Sequence, residues 1–282
     1  MASLVVAHVH HGLQPAADDW LAFCEASTAQ AGLPFLFRRL PARSIAGGAA
    51  TALGVPEAGG LEAWARRHRY RALAAMAAEC GAGIVLTAHH ANDQLETVQL
   101  RRQRGAGPLG LGAMRIAAPL PGAPQRLLLR PFLETPRQAL ADYAAREGLR
   151  WIEDPSNQDT RHARNRVRRT LDESLSRDPA ALDRELAEVD RIQREADRIR
   201  DQARRDLEQC RVLLVPGPGA WDDPTYGIGL PVSDAAATDT LSRAELARLP
   251  PERTAETLRL WLAGQGLRMP SRAKLAEITR QL

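Results

Sequence analysis

The amino-acid sequence predicts an α/β fold, with a parallel sheet in its first part, then a long helix and a small helical region at the end. Between Leu4 and Arg104, short apolar runs alternate with helical patterns, which is typical of a parallel sheet covered by helices on both faces. An amphipathic repeat at spacings of three and four residues then runs from Leu182 to Leu207. The 44% hydrophobic and 26% charged fractions are ordinary for a folded globular protein.

Each element of the first part has its own local signal. Strands are predicted at 4–9, 35–40 and 84–88, and helices at 16–31, 61–80 and 93–104. The last of these strands is the clearest, because glycines precede it, and the middle helix is the clearest, because it contains no Pro or Gly. Parallel sheets bind ligands beyond the carboxyl ends of their strands, where the pairs His10-His11 and His89-His90 fall.

The second part of the chain changes character after residue 170. Asp178-Pro179 is typical of an N-cap followed by Pro at the first helical position, so a long helix is predicted to begin there. A Gly/Pro-rich connector at 216–231 is followed by short helical patterns. We therefore divide the chain into an α/β domain at 1–170, a linker helix at 171–210 and a small, mainly helical domain at 211–282.

Composition excludes several protein classes. No stretch approaches the ~20 apolar residues of a membrane span, and the first residues lack the basic start of a signal peptide, so a cytoplasmic protein without a membrane partner is expected. Cys24, Cys80 and Cys210 form no CxxC motif, which argues against a disulfide framework or a cysteine metal site. The net charge of +4 is mild, so clusters of arginine are more informative than their total.

The segment Thr87–Thr97 carries the most chemistry. It leaves a predicted strand and opens a helix, whose first N–H groups favour a negative charge or a bound anion. Asp93 and Glu96 are three residues apart and so share one helical face, where paired carboxylates can hold Mg²⁺ or orient an ammonium group. Residues 93–96 also have the form of a capping box, which needs no catalysis. Spacing leaves both interpretations open, and the preceding histidine pair favours a functional one.

A dense basic stretch follows a turn at residues 151–157. Its arginines are Arg161, Arg164, Arg166, Arg168 and Arg169. A solvated helix face is one interpretation, but like charges repel unless an anion neutralises them, so we favour contact with phosphate. No series of aromatic residues accompanies the stretch, so nonspecific stacking on single strands is not indicated. The GxGxxG pattern at 105–110 follows a helix rather than a strand, so we interpret it as a turn and not as a dinucleotide site.

Taken in order, these segments resemble the tRNA(Ile)-lysidine synthase family. The match runs through about residue 170, and residues 241–278 resemble the small helical domain that follows in the family. The segments that carry it are His8-Val-His-His-Gly-Leu13, Leu61-Glu-Ala-Trp-Ala-Arg-Arg-His-Arg-Tyr70, Leu86-Thr-Ala-His-His-Ala-Asn-Asp-Gln-Leu-Glu-Thr97, Arg104-Gly-Ala-Gly-Pro-Leu-Gly-Leu-Gly-Ala-Met114, Leu129-Arg-Pro-Phe-Leu133, Trp151-Ile-Glu-Asp-Pro-Ser-Asn157 and Arg164-Asn-Arg-Val-Arg168. The last two separate the chain from related tRNA thiolases, which also tend to carry cysteine motifs.

The resemblance implies a Rossmann-like PP-loop ATP pyrophosphatase fold and a two-step reaction. ATP adenylates the ring carbonyl oxygen of the wobble cytidine in a tRNA(Ile) with a CAU anticodon. The ε-amine of L-lysine then displaces AMP and forms lysidine. Mg²⁺ would neutralise charge on the departing pyrophosphate. ATP, Mg²⁺, lysine and tRNA(Ile) are therefore the expected ligands. Whether the chain forms a homodimer is left open by the resemblance.

The resemblance also implies roles for residues at the motif positions. Asp93, Glu96 and His89 are expected to be catalytic, with Asp93 and Glu96 serving Mg²⁺ and the lysine amine. ATP is expected at Arg66, His10 and His11, and ATP or tRNA at Arg164, Asn165, Arg166 and Arg168.

Two features depart from the family pattern. The Ser-Gly-Gly-x-Asp-Ser loop that cradles pyrophosphate should precede the first strand and is absent from the sequence, so we expect a fragment of an active enzyme. Asn92 stands where many relatives carry a second Asp.

Two rival hypotheses remain. The first is a catalytically dead remnant that only binds tRNA. The second is a metal-dependent hydrolase with a zinc or iron site built from His8, His10, His11, His89, His90 and Asp93.

Overall fold

The computed structural model describes residues 4–12, 14–41, 61–161, 163–178, 180–214, 238–267 and 269–282. Residues 44–60, whose Gly- and Ala-rich sequence predicts a loop, and the connector predicted at 216–231 lie outside these residues, as does Pro179. The chain forms two compact units, one of Met1–Leu100 with Ala113–Leu186 and the other of Arg101–Gly112 with Ala187–Leu282. The predicted domain boundaries at 170 and 210 stay predictions.

The first half of unit one alternates strands and helices, as the apolar pattern predicts. Its elements are β1 (Val6–His10), α1 (Ala17–Gln30), β2 (Phe35–Arg39), α2 (Leu61–Glu79), β3 (Ile84–Leu86) and α3 (Ala91–Gln103). β1 pairs with β2 in parallel, and β3 pairs in parallel with a later strand, β5 (Ala123–Leu129). The predicted α/β class with parallel strands is therefore confirmed.

A hairpin that the sequence analysis did not predict completes the second sheet. β4 (Ala117–Leu120) pairs antiparallel with β5, so the strand order is β3-β5-β4. The turn passes through Gly122, whose φ of 85° is in the left-handed region that glycine adopts without strain. Pro119 lies within β4, which is an edge strand and so tolerates a residue without an N–H.

α2 covers this sheet with its buried face. Tyr70 and Ala74 of α2 pack in one core cluster with Leu120, Ala123 and Leu128 of the hairpin. Leu128 has no exposed surface, because it points from the central strand into this cluster. Leu73 of α2 and Val85 of β3 pack against the same cluster, so α2 lies against the sheet that contains β3.

Four further helices follow, of which α5 and α6 belong to the first unit, α4 belongs to the second, and α7 runs from the first unit into the second. α4 (Pro108–Leu111) is one short turn, α5 is Arg137–Arg146, and a 3₁₀ turn at Pro155–Gln158 precedes α6 (Ala163–Arg177). The basic stretch thus lies largely within a helix. α7 (Ala181–Cys210) has 30 residues and is about 45 Å long, in agreement with the predicted long helix.

The second unit has its own small core. Strands β6 (Arg211–Leu214) and β7 (Thr238–Leu241) form an antiparallel pair, and α8 (Arg243–Arg248), α9 (Pro251–Gly264) and α10 (Arg272–Arg280) follow. Cys210, Leu246, Leu258 and Leu275 are buried together. The predicted helical character is observed with one added strand pair. Within the described residues, no helix has the length and apolar character that crossing a bilayer would require.

Candidate active site

The start of α3 places two carboxylates beside the end of β3. The backbone carbonyl of His90 accepts the N–H of Gln94 at 3.3 Å, and the backbone N–H of His90 donates to Asp93 Oδ2 at 3.0 Å. His90 is therefore the N-cap, and Asp93 is the residue that reaches back to it. The predicted capping box was wrong in its frame, because it placed Asp93 at the cap and Glu96 at the reaching position. Capping accounts for the hydrogen bond of one carboxylate oxygen of Asp93, but it gives Glu96 no role.

Two arginines of α6 bind these carboxylates. Arg164 Nη2 lies 2.8 Å from Asp93 Oδ1, and Arg164 Nε lies 2.6 Å from Glu96 Oε2. Arg168 Nε lies 2.6 Å from Glu96 Oε1. The Glu96 side chain is only 2% exposed, whereas both arginine side chains are 28% exposed. We refer to Asp93, Glu96, Arg164 and Arg168 as the carboxylate–arginine cluster.

Helical periodicity explains how one cluster collects these four side chains. Asp93 and Glu96 are spaced i,i+3 on α3, and Arg164 and Arg168 are spaced i,i+4 on α6, so each pair lies on one helical face. Between the two arginines, Val167 is buried and anchors the same part of α6. The burial of Glu96 requires this pairing, since an uncompensated buried carboxylate would be strongly destabilising.

The cluster leaves little room for a metal ion in this arrangement. Each carboxylate oxygen of Asp93 and Glu96 already accepts a hydrogen bond, from His90, Arg164 or Arg168. Mg²⁺ binds through several oxygen ligands at short distance and would meet these guanidinium groups first. The residues therefore do not fit Mg²⁺ while Arg164 and Arg168 are bound, and the predicted Mg²⁺ ligation stays a prediction.

The histidine pair before α3 is neutral at physiological pH. Burial lowers the pKa of His89 to about 4, although the Asp93 carboxylate opposes the shift and nearby arginines, among them Arg66, add to it. Its Nδ1 is 2.9 Å from the hydroxyl of Thr87, which fixes the ring. Burial also lowers the pKa of His90, against the pull of Asp93 and Glu96.

The earlier histidines at the end of β1 have other neighbours. His10 is buried, and its Nε2 lies 3.2 Å from Arg39 and 3.3 Å from Asp18. Burial, with the charge of Arg69, lowers the pKa of His11. Helix α2 is thus a common neighbour of both strand ends, because it carries Arg69 and also Arg66. The predicted ATP contacts of Arg66, His10 and His11 stay predictions.

The remaining predicted substrate residues lie apart from the cluster. Asn165 Nδ2 donates to the carbonyl of Asp159 at 2.9 Å, and Arg166 donates to the carbonyls of Thr160 and Arg161. These two side chains hold the turn that precedes α6.

The arginines of the basic stretch are neutralised within the chain, contrary to the expectation that an external anion is needed. All five arginines of the basic stretch have acceptors within the chain: Asp159 for Arg161, Asp93 and Glu96 for Arg164, backbone carbonyls for Arg166, Glu96 for Arg168 and Glu173 for Arg169. An external anion is not required to neutralise them. Phosphate contact at Arg164 or Arg168 stays a prediction that rests on the resemblance to the family.

Two residues support the site through distant partners that the sequence did not indicate. Gln94 is buried, and its amide both donates to the carbonyl of Met114 at 2.9 Å and accepts its N–H at 2.8 Å, which ties α3 to the approach of β4. Asn92 Oδ1 accepts the N–H of Arg137 at 3.0 Å and so caps α5. Both residues stand within the segment that the sequence singles out, but local spacing gives no sign of their distant partners.

The metal-dependent hydrolase hypothesis finds no ligand set here. In the part of the chain that the structure describes, no three His, Cys, Asp or Glu side chains are grouped so as to hold a metal ion. His10 contacts Asp18 and Arg39, and His89 contacts Thr87, so two of the five histidines that this hypothesis joins are engaged elsewhere.

A solved structure of similar fold is the U34-tRNA thiolase NcsA from Methanococcus maripaludis, which was determined with its 4Fe–4S cluster. It superimposes with a TM-score of 0.52 at 14% sequence identity, over 68% of this chain and 62% of the thiolase. At this identity the likeness shows the fold alone.

Comparisons of sequence are more specific. Residues 1–175 match the family model of the PP-loop domain, and residues 241–282 match that of the TilS substrate binding domain. The tRNA(Ile)-lysidine synthase of Ralstonia nicotianae is 37% identical over 279 residues, which are 99% of this chain and 52% of that protein. The synthase of Bordetella parapertussis is 34% identical over 282 residues, 98% of this chain and 71% of that protein.

The chain spans about half the length of several of these relatives, at 52% for Ralstonia nicotianae and 50% for Burkholderia pseudomallei. The matched regions include the segments that build the carboxylate–arginine cluster, from α3 to α6. With the PP-loop match over more than half of its residues and the fold of the first unit in agreement, the chain belongs to the tRNA(Ile)-lysidine synthase family.

Proposed function

We propose that this chain is an ATP-dependent ligase, which joins L-lysine to the wobble cytidine of tRNA(Ile) with a CAU anticodon and so forms lysidine. In the first step, the carbonyl oxygen of the cytosine ring attacks the α-phosphorus of ATP, and pyrophosphate leaves. In the second step, the ε-amine of lysine attacks the activated carbon, loses a proton and displaces AMP. Adenylation is needed because the ring oxygen alone is a poor leaving group.

The observation that carries the proposal is the carboxylate–arginine cluster at the start of α3. Two carboxylates less than one helical turn apart form a site for a cationic group, and Arg164 at present bridges both of them, at 2.8 and 2.6 Å. A lysine ammonium placed between Asp93 and Glu96 would make equivalent charge-assisted hydrogen bonds. Since Glu96 is buried, the cation must be exchanged and not simply lost.

After that exchange, Arg164 can bind a second partner. When an ammonium group takes its place, the guanidinium is released with 28% of its side chain already exposed. A guanidinium binds phosphate through two parallel hydrogen bonds, so ATP or the tRNA backbone is a suitable acceptor for it. Binding of the anionic and the cationic substrate would then favour each other, because each stabilises one half of a separated ion pair.

His89 suits this setting because it stays uncharged. With a pKa of about 4, its imidazole is neutral at the pH of the reaction. It therefore does not repel a lysine ammonium beside Asp93, and its ring nitrogen can accept a hydrogen bond from the amine.

Incorporation of radiolabelled lysine into a tRNA(Ile) transcript with a CAU anticodon tests the proposal. The assay uses this chain preceded by the Ser-Gly-Gly-x-Asp-Ser loop of the family, and that protein should incorporate lysine only when ATP is present. Asp93→Asn should lower the rate by at least about 100-fold, which corresponds to about 2.7 kcal/mol of lost transition-state stabilisation. Glu173→Gln, which changes an exposed carboxylate that pairs with Arg169 of the same helix, is the matched control and should keep the wild-type rate. No ATP-dependent incorporation by the protein with this loop, or full activity of its Asp93→Asn variant, would contradict the proposal.

A further inference from the structure

A cavity of about 430 Å³ lies next to the carboxylate–arginine cluster and has no role in the function proposed above. Trp151 and Ile152 form its apolar wall, and Arg137, Glu153, Asn157 and Arg168 are among its polar lining. The Trp151 residue is 56% exposed, the largest exposed fraction among the large hydrophobic residues that the structure describes. A cavity with an exposed indole and several polar groups in its lining is suited to a flat, polar ligand.

The polar lining matches the edge of a pyrimidine base. Arg137 and Arg168 donate hydrogen bonds only, and the Glu153 carboxylate accepts them. Cytosine presents ring acceptors and an exocyclic amino donor, and carboxylates accept from that amino group. Uracil carries a carbonyl at the corresponding position and would face the carboxylate unfavourably. The combination of guanidinium donors with a carboxylate acceptor therefore favours cytosine.

The cavity shares residues with the reacting site. Arg168 lines it and at the same time binds Glu96 at 2.6 Å and donates to Asn157 Oδ1 at 3.1 Å. Arg137 also lines the cavity, and it is close enough to His90 for its charge to lower the pKa of that residue. A base held here lies beside the start of α3, within reach of the groups that the proposed ligation uses.

We propose that this cavity binds the target cytosine base of the RNA substrate, unstacked from its neighbours and laid on the indole of Trp151. The inference rests on the proposed function and adds the residue that positions the base. A single exposed aromatic side chain is what recognition of one unstacked base requires, since proteins read single-stranded RNA by stacking bases on aromatic rings and bonding their edges. The wobble base lies in such a single-stranded loop.

The test is a double-mutant cycle between Trp151 and the base. The probes are two anticodon stem-loop RNAs with the sequence CAU, one intact and one abasic at the wobble position, and the dissociation constant of each is measured. Trp151→Ala should weaken binding of the intact RNA by about 5- to 150-fold, the range of one lost base–aromatic stack. It should change binding of the abasic RNA by less than about twofold, because no base remains to be stacked.

Two further variants serve as controls. Trp151→Phe keeps an aromatic face and should restore most of the affinity for the intact RNA. Tyr143→Ala removes another aromatic residue, 51% exposed and outside the cavity lining, and should leave both dissociation constants unchanged. More than half of Trp151 is exposed, so its replacement should leave the circular dichroism spectrum of the folded chain unaltered.

The outcomes separate this inference from the proposed function. Equal losses for the intact and abasic RNAs, or no difference between the two RNAs for the unchanged chain, overturn the base pocket. A shift in oligomeric state on Trp151→Ala, without an effect on RNA binding, would show that a second copy covers the indole and would also overturn it. If the cycle shows coupling while lysine is not incorporated, the base pocket stands and the ligase proposal fails. If Trp151→Ala transfers lysine at an unchanged rate, the ligase proposal stands and the base pocket fails.

Discussion

The replacement Glu96→Gln tests how much the first unit depends on its buried carboxylate. Glu96 receives hydrogen bonds from Arg164 Nε and Arg168 Nε, both at 2.6 Å, and only 2% of its side chain is exposed. Glutamine has nearly the same shape but no charge, and it presents an amide N–H₂ to one of the guanidinium groups. The substitution therefore removes the anion and keeps the volume.

The size of the effect follows from the burial of the partners. Removing one member of a buried ion pair typically destabilises a protein by about 3–5 kcal/mol. Here Arg164 and Arg168 keep 28% of their side-chain exposure, so water can solvate them in part, and the lower end of about 3 kcal/mol is expected. For a unit of this size, that loss corresponds to a fall in melting temperature of roughly 6–12 °C.

Urea unfolding followed by tryptophan fluorescence measures this loss. Trp64, in the first unit, is 3% exposed and its emission should shift to the red when that unit unfolds. Glu173→Gln is the matched control, because Glu173 also faces two arginines, Arg169 at 3.1 Å and Arg177 at 3.9 Å, but is 52% exposed. Exposed pairs contribute about 0–1 kcal/mol, so the control should shift the urea midpoint little. If Glu96→Gln lowered the midpoint no more than Glu173→Gln does, the cluster would not be what holds α6 against α3.

Two further predictions concern the same region. Gln94→Leu leaves the N–H and carbonyl of Met114 without their side-chain partner. The replacement should lower the free energy of unfolding by about 2–4 kcal/mol in the same urea assay. A smaller loss than for Glu173→Gln would mean that the contact between Gln94 and Met114 is not made. His89 should titrate near pH 4 in an NMR experiment, with its resonance assigned through His89→Gln. Folding lowers this pKa below the unfolded value of about 6.5. The stability that depends on a neutral His89 ring is therefore fully present above about pH 6.5, and it is lost as the pH falls towards 4. A midpoint near 6.5 would show that the ring is solvated.

Local patterns were sufficient for much of the fold. The strands at β1, β2 and β3 and the helices α1, α2 and α3 lie within a few residues of their predicted bounds, because apolar runs, helical periodicity and breaking glycines act over short distances. The β4–β5 hairpin had no such signal: its strands contain Pro119 and Pro124 and the polar residues Gln125 and Arg126, and only pairing with β3 makes them a sheet.

The candidate site divides in the same way. The sequence alone determined that Asp93 and Glu96 share a helical face at the end of a buried strand, since both facts depend on residues close together in the chain. Which cations they meet was decided by the tertiary structure. Arg164 is 68 residues from Glu96 along the chain, and Arg168 is 72 residues away, among 38 basic residues with no local mark to distinguish them. Trp151 gained its significance only when folding left its indole bare beside Arg137 and Arg168, because the exposure of a side chain depends on packing between distant segments.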